Sequence, residues 1–95
     1  MIDDALRLYR RHEVWRRISD AVAARYVCFE LLGADSFAVQ SCDFFRIPLG
    51  DQAIGHLDRQ AIQLFIEDDP VRRSGAHASL VAAIEAHDRD FADFS

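Results

Sequence analysis

Residues 26–48 read YVCFELLGADSFAVQSCDFFRIP, and the period of this stretch decides the fold class. Val27, Phe29 and Leu31 alternate with Cys28 and Glu30, Gly33-Ala34-Asp35 interrupts, and Phe37, Val39, Ser41, Asp43, Phe45 and Ile47 then keep one parity. Two runs with a period of two, joined by a glycine-containing turn, predict an antiparallel β-hairpin with strands over about 26–32 and 36–47. With three residues in the turn, Leu31 stands opposite Phe37 and Phe29 opposite Val39, so the apolar residues of both strands share one side. The other side carries Tyr26, Cys28, Glu30, Gln40, Cys42, Phe44 and Arg46, a mixed surface for a helix, solvent or a partner. Pro48 ends the strand or marks a sheet edge.

Upstream of the hairpin the spacing turns helical. Asp3 or Asp4 can cap a helix in which Ile2, Ala5, Leu6 and Tyr9 share one face, and Trp15, Ile18, Ala21 and Val22 form a second set. At about 100° per residue the two sets point to opposite sides of a straight helix. Either the helix kinks around Arg10-Arg11-His12-Glu13, or both of its faces are covered. In the second case Ile2, Ala5, Leu6 and Tyr9 make a contact with another copy of the chain, most simply across a two-fold axis.

Downstream, Leu49-Gly50-Asp51 is a turn. Ile54, Leu57, Ala61, Leu64 and Phe65 then share a helical face, while Ile62, Leu64 and Ile66 alternate as a strand would. The helical match is the wider one and is preferred. The alternative is a three-stranded antiparallel sheet with residues 60–67 as its third strand. Asp69-Pro70 reads as a cap followed by a first-turn proline, and Gly75 as the stop of a short turn. A last helix over about 77–94 aligns Leu80, Ile84, His87 and Phe91. The expected fold is therefore α+β: an N-terminal helix, straight or kinked, an antiparallel hairpin and two C-terminal helices. Residues 1–95 form a single domain with Val27, Phe29, Leu31, Phe37, Val39, Phe45, Leu80, Ile84 and Phe91 in one core.

Composition narrows the function classes. The 95 residues carry 16 acids against 11 bases, a formal charge of -5. A molecule of that sign has no electrostatic reason to seek nucleic acid or anionic lipid. All 11 bases are Arg, and Lys, Asn and Thr are absent while Ala is abundant, which points to a G/C-rich bacterial genome. No apolar run reaches the ~18–20 residues of a membrane span, and the acidic start is unlike a secretory leader, so the expected location is the cytoplasm. Cys28 and Cys42 are too few for a disulfide framework and read as reduced packing residues.

Few residues suggest chemistry. His56-Leu57-Asp58 has a metal-ligand spacing, with His77 or His87 available as a further ligand, but twelve aspartates and four histidines in so short a chain produce such spacings by chance. His87 lies between Ile84 and Phe91 at helical spacing. That pattern fits a core histidine first, a partner contact second and a general acid or base third. Cys28 or Cys42 would be the nucleophile of a Cys/His pair, yet neither has a basic neighbour in sequence to lower its pKa. No phosphate-binding glycine loop and no nucleophile-elbow motif is present. No cofactor is expected.

Charge is uneven along the chain: residues 1–25 hold six arginines against four acids, and residues 26–95 five against twelve. The arginines either pair within the molecule or leave an acidic surface for a basic protein partner, with Asp88, Asp90 and Asp93 at its rim and Phe94 as anchor. The expected function is that of a small acidic binding module that occupies a surface of another protein, as inhibitors, immunity proteins and antitoxins do. The alternatives are a metal-binding or enzymatic domain using His87 with His77 or His56, and a self-assembling accessory subunit.

Overall fold

The computed structural model describes residues 7–49 and 51–92. Strands β1 (Tyr9–Arg17), β2 (Val22–Leu31) and β3 (Ser36–Arg46) form an antiparallel sheet in the order β1-β2-β3. Helices α1 (Asp51–Glu67), α2 (Pro70–Ser74) and α3 (Leu80–Ala92) follow. The expected N-terminal helix is thus corrected: from Tyr9 onward it is an edge strand, while Ile2, Asp3, Asp4, Ala5 and Leu6 lie outside the described residues. The alternative sheet is corrected as well, because the third strand is Tyr9–Arg17 and residues 60–67 belong to α1.

The physical reason lies in what covers the sheet. Six consecutive residues of β2, Ala24–Phe29, are buried, so helices pack on both of its faces and both parities are inside. In β1, Tyr9, Arg11, Glu13 and Trp15 pair across from Leu31, Phe29, Val27 and Arg25, whereas His12 and Val14 pair with Cys28 and Tyr26 on the other face. The second apolar set does not belong to one element: Trp15 is in β1 on the same face as Tyr9, Ile18 and Ala21 lie in the turn after it, and Val22 begins β2. The polar run of β1 carries no apolar alternation because the helix-facing arginines form ion pairs with helix acids rather than supplying core.

The hairpin also departs from the expected pairing. Its turn holds four residues, Leu32–Asp35, with Gly33 at φ 85 and Asp35 at φ 47, left-handed backbone that glycine and aspartate tolerate. Leu31 therefore pairs with Ser36 and Phe29 with Ala38, not with Phe37 and Val39. Register slips between Val27 and Cys28, where Val27 pairs with Ser41 and Cys28 with Val39, leaving Gln40 as the extra residue of a β-bulge. The four-residue turn sets Phe37 and Val39 on the Cys28 face, and the bulge brings Cys42 and Phe44 onto that same face. The buried Gln40 uses its Nε2 to donate to the Ala61 carbonyl of α1 at 2.9 Å, anchoring the bulge to that helix.

The single expected core is thus two half-cores. On one face Phe29 meets Phe65 of α1 at 4.6 Å between ring centroids, and Tyr9 stands edge-on to both. On the other face Ala24, Tyr26, Cys28 and Val39 pack with Ala83 and Ile84 of α3, bordered by Val14, Phe37, Cys42 and Leu80. The side chain of Phe91 lies outside the description.

Asp69 ties the parts together. It caps α2 by accepting from the backbone N–H of Val71 (3.0 Å) and Arg72 (3.4 Å), with Pro70 in the first turn and Gly75 at φ 85 closing the helix. It also accepts from the Tyr9 hydroxyl and pairs with Arg7 at 3.4 Å, joining β1 to α2. Burial pushes the Asp69 carboxyl upward, but the Tyr9 hydroxyl, the two backbone donors and Arg7 outweigh it and hold the pKa below the ordinary value. Stability from this depressed pKa is present above the unfolded value of about 3.9 and is lost as pH falls through the folded one. Asp69→Ala is expected to cost about 1–2 kcal/mol at pH 7. In urea melts the gap from wild type should narrow at pH 3; a gap of constant size would remove the carboxylate from this role.

Candidate functional site

On the α3 face of the sheet an open groove of 760 Å³ runs between β3 and α3. Val39, Cys42 and Phe44 of β3 line one wall, and Ala83, His87 and Asp88 of α3 the other. Alternation along β3 places Phe37, Val39, Cys42 and Phe44 on this side only because the bulge intervenes between Val39 and Ser41. At one end the groove is bordered by Arg73 and Ser74 of α2 and by His77. His77 is fixed there because it exchanges two backbone hydrogen bonds with Phe37, at 2.8 and 2.9 Å, extending the sheet by one bridge.

The other end is built on Asp88. Its Oδ1 accepts from the Tyr26 hydroxyl at 2.8 Å, and its Oδ2 lies 3.0 Å from Nη1 of Arg16, whose guanidinium sits 5.5 Å from the centroid of the Tyr26 ring. His87 stands edge-on to Tyr26 at 5.8 Å, with Nδ1 3.8 Å from Asp88 Oδ1. Burial, reinforced by the bond to Asp88, pushes the Tyr26 hydroxyl up to about 12. Burial likewise raises the Cys42 thiol, helped by the nearby Asp88 and Asp43 charges. Cys28, beneath the groove, is pushed up to about 11 by burial and by Cys42. At neutral pH both thiols and the phenol keep their protons. The Tyr26 hydroxyl is a hydrogen-bond donor to Asp88, and a raised thiol pKa lowers the thiolate fraction at Cys28 and Cys42.

The structure distributes the residues singled out from sequence unequally. His87 and His77 line the same groove as Cys42, whereas His56 is exposed on α1, across the sheet. Among the described residues no three His, Cys, Asp or Glu side chains form a group able to hold a metal ion. Asp88 is half-buried and engaged by Tyr26 and Arg16, while Asp90 is exposed at the groove edge. Asp93 and Phe94 lie outside the described residues. Of the proposed contact between copies, Ile2, Ala5 and Leu6 also lie outside them. Tyr9 packs against Phe29 and Phe65 within its own chain, and the two-striped helix that motivated the contact is not formed. Tyr26 and Arg16 escaped the sequence reading. The even parity of β2 is visible in sequence as a mixed face, but nothing in the sequence marks Arg16 as the cation that crosses from β1 to α3.

No helix among the described residues is long and apolar enough to cross a membrane. No protein-family model, curated protein or solved structure matches the chain. Its function is therefore read from its own surface and groove.

Proposed function

We propose that the protein is a small binding module that occupies a surface of a basic partner protein, in the manner of an inhibitor, immunity protein or antitoxin. The observation that supports this most is the partition of charge. Four of the six N-terminal arginines are engaged inside the fold, Arg7 with Asp69, Arg11 with Glu13 and Asp58, Arg16 with Asp88, and Arg25 with Asp43 and Asp58, while Arg10 and Arg17 are exposed. Asp68, Glu85 and Asp90 are likewise exposed, and no ion pair engages them among the described residues. Residues 26–95 as a whole hold five arginines against twelve acids, and that acidic balance is what a basic partner meets. The open groove beside α3, with its apolar Val39, Ala83 and Phe44, supplies a place for an anchoring side chain.

A second reading has one observation in its favour: His77, His87 and Cys42 share the groove, as a small enzyme would require. The raised pKa values of Cys42 and Tyr26 weigh against it, since a nucleophile or base needs the opposite shift. The test is capture of a partner with the tagged protein, then association kinetics with that partner purified. Association should slow as salt shortens the ~8 Å Debye length. A Glu85→Arg/Asp90→Arg variant should weaken binding by about tenfold or more, since like charges then meet across the contact. Binding unchanged by the reversal rejects this surface. Failure to capture a partner, combined with small-molecule turnover abolished by His87→Ala, moves the answer to the enzymatic reading.

A further inference from the structure

A second cavity, of 440 Å³, opens on the opposite face of the sheet, beside the turn from β1 to β2. Trp15 of β1, Phe45 at the end of β3, Ile47, Leu49 and Ile54 of α1 line it. Trp15, Ile47 and Leu49 are 55%, 61% and 54% exposed. Single exposed apolar side chains are ordinary, but three of them around one concavity are surface that folding leaves in water and a ligand can remove from it.

The charge at the back of the cavity limits what that ligand is. Arg25 lines the cavity yet is only 4% exposed. Its Nη2 lies 2.9 Å from Asp43, and its Nη1 lies 3.1 Å from Asp58 and 4.0 Å from Glu13. Arg11 shares Glu13 and Asp58, so two cations face three carboxylates and Arg25 has no positive field to spare for an anion. Arg17 and Asp20, which also line the cavity, carry opposite charges. The Arg25 guanidinium also lies against both rings, 5.9 Å from the centroid of Trp15 and 5.1 Å from that of Phe45, and the two rings are 5.8 Å from each other, so the wall behind the cavity is braced.

We propose that this cavity binds a small neutral apolar molecule, packed on the Trp15 and Phe45 rings and enclosed by Ile47 and Leu49. Apolar contact supplies the affinity, and the charge balance around Arg25 selects against carboxylates.

The chain has one tryptophan, Trp15, so its emission reports on this site alone. Titration with octan-1-ol, followed by Trp15 fluorescence and by chemical shifts of the Ile47 and Leu49 methyls, should show saturable binding. Octanoate, with the same length and a negative head, should bind about tenfold more weakly or worse, because its charge loses water and finds Arg25 already engaged by Asp43 and Asp58. Leu49→Asp and Ile47→Asp alter exposed positions and should leave the circular dichroism spectrum unchanged while weakening octan-1-ol about tenfold, by the apolar contact each loses. Should either aspartate variant lose its fold, Leu49→Ser is the replacement, with the same expectation. A response linear in octan-1-ol, octanoate binding as tightly as the alcohol, or folded variants that bind like wild type would each overturn the proposal.

Discussion

Truncating Phe29 to alanine is expected to remove about 3–5 kcal/mol of stability, the usual cost of emptying a buried aromatic site. Phe29 is 8% exposed on the central strand, and its ring is the meeting point of three elements: Tyr9 of β1 edge-on at 6.2 Å, Phe65 of α1 at 4.6 Å, and β2 itself. The cavity cannot collapse easily, because Tyr9 is held by its hydroxyl to Asp69 and Phe65 by its place on α1. A domain of this length has on the order of 5–14 kcal/mol in total, so the variant should lose much of it, with a fall in Tm on the order of 12–40 °C. Ile66→Ala is the control. Ile66 lies on the same helix as Phe65 but is 77% exposed, and its truncation should cost under about 0.5 kcal/mol. A Phe29→Ala loss below about 1 kcal/mol would mean that α1 does not cover this face of the sheet.

The contrast between Phe29 and Tyr9 shows how far the sequence carries the fold. Phe29 stands in a run whose alternation is unmistakable, and the strand around it forms. So does α2, where Asp69-Pro70 and Gly75 are local signals that act within a few residues. Tyr9–Arg17 carries no such local signal: of its nine residues four are arginines, and its strand state depends on pairing with β2, a long-range contact that periodicity does not encode. The bulge at Gln40 is hidden for the same reason. Its Nε2 donates to the Ala61 carbonyl, twenty-one residues away, and the slip it introduces brings Cys42 and Phe44 onto the same face as Phe37 and Val39, against strict alternation. The candidate groove inherits this limit. His77 and His87 can be named from sequence, but their shared groove depends on the His77 bridge to Phe37 and on the bulge, and the Asp88 network draws Arg16 and Tyr26 from two different strands.

Arg25→Ala is expected to be comparably damaging, by about 3–5 kcal/mol, for an electrostatic and not a packing reason. Arg25 is 4% exposed, and Asp43, directly across from it on β3, has a side chain only 12% exposed. Taking away the guanidinium leaves the Asp43 carboxylate with little water and no cation at 2.9 Å, whereas Asp58 and Glu13, 45% and 39% exposed, can turn to solvent. The damage should therefore trace to Asp43, and a second substitution separates it from lost packing. In the Arg25→Met/Asp43→Val protein both buried charges are gone and apolar groups stand in their place beside the Trp15 and Phe45 rings. Most of the lost stability should return, because replacing a buried pair by apolar residues is often neutral. Arg25→Lys should fall between the two: it keeps the charge but loses the planar fork that reaches Asp43 and Asp58 together and lies against the rings. Urea unfolding of the four proteins decides it. If the double variant is no more stable than Arg25→Ala, the guanidinium contributes through its contacts with Trp15 and Phe45 and not through the carboxylates it neutralises.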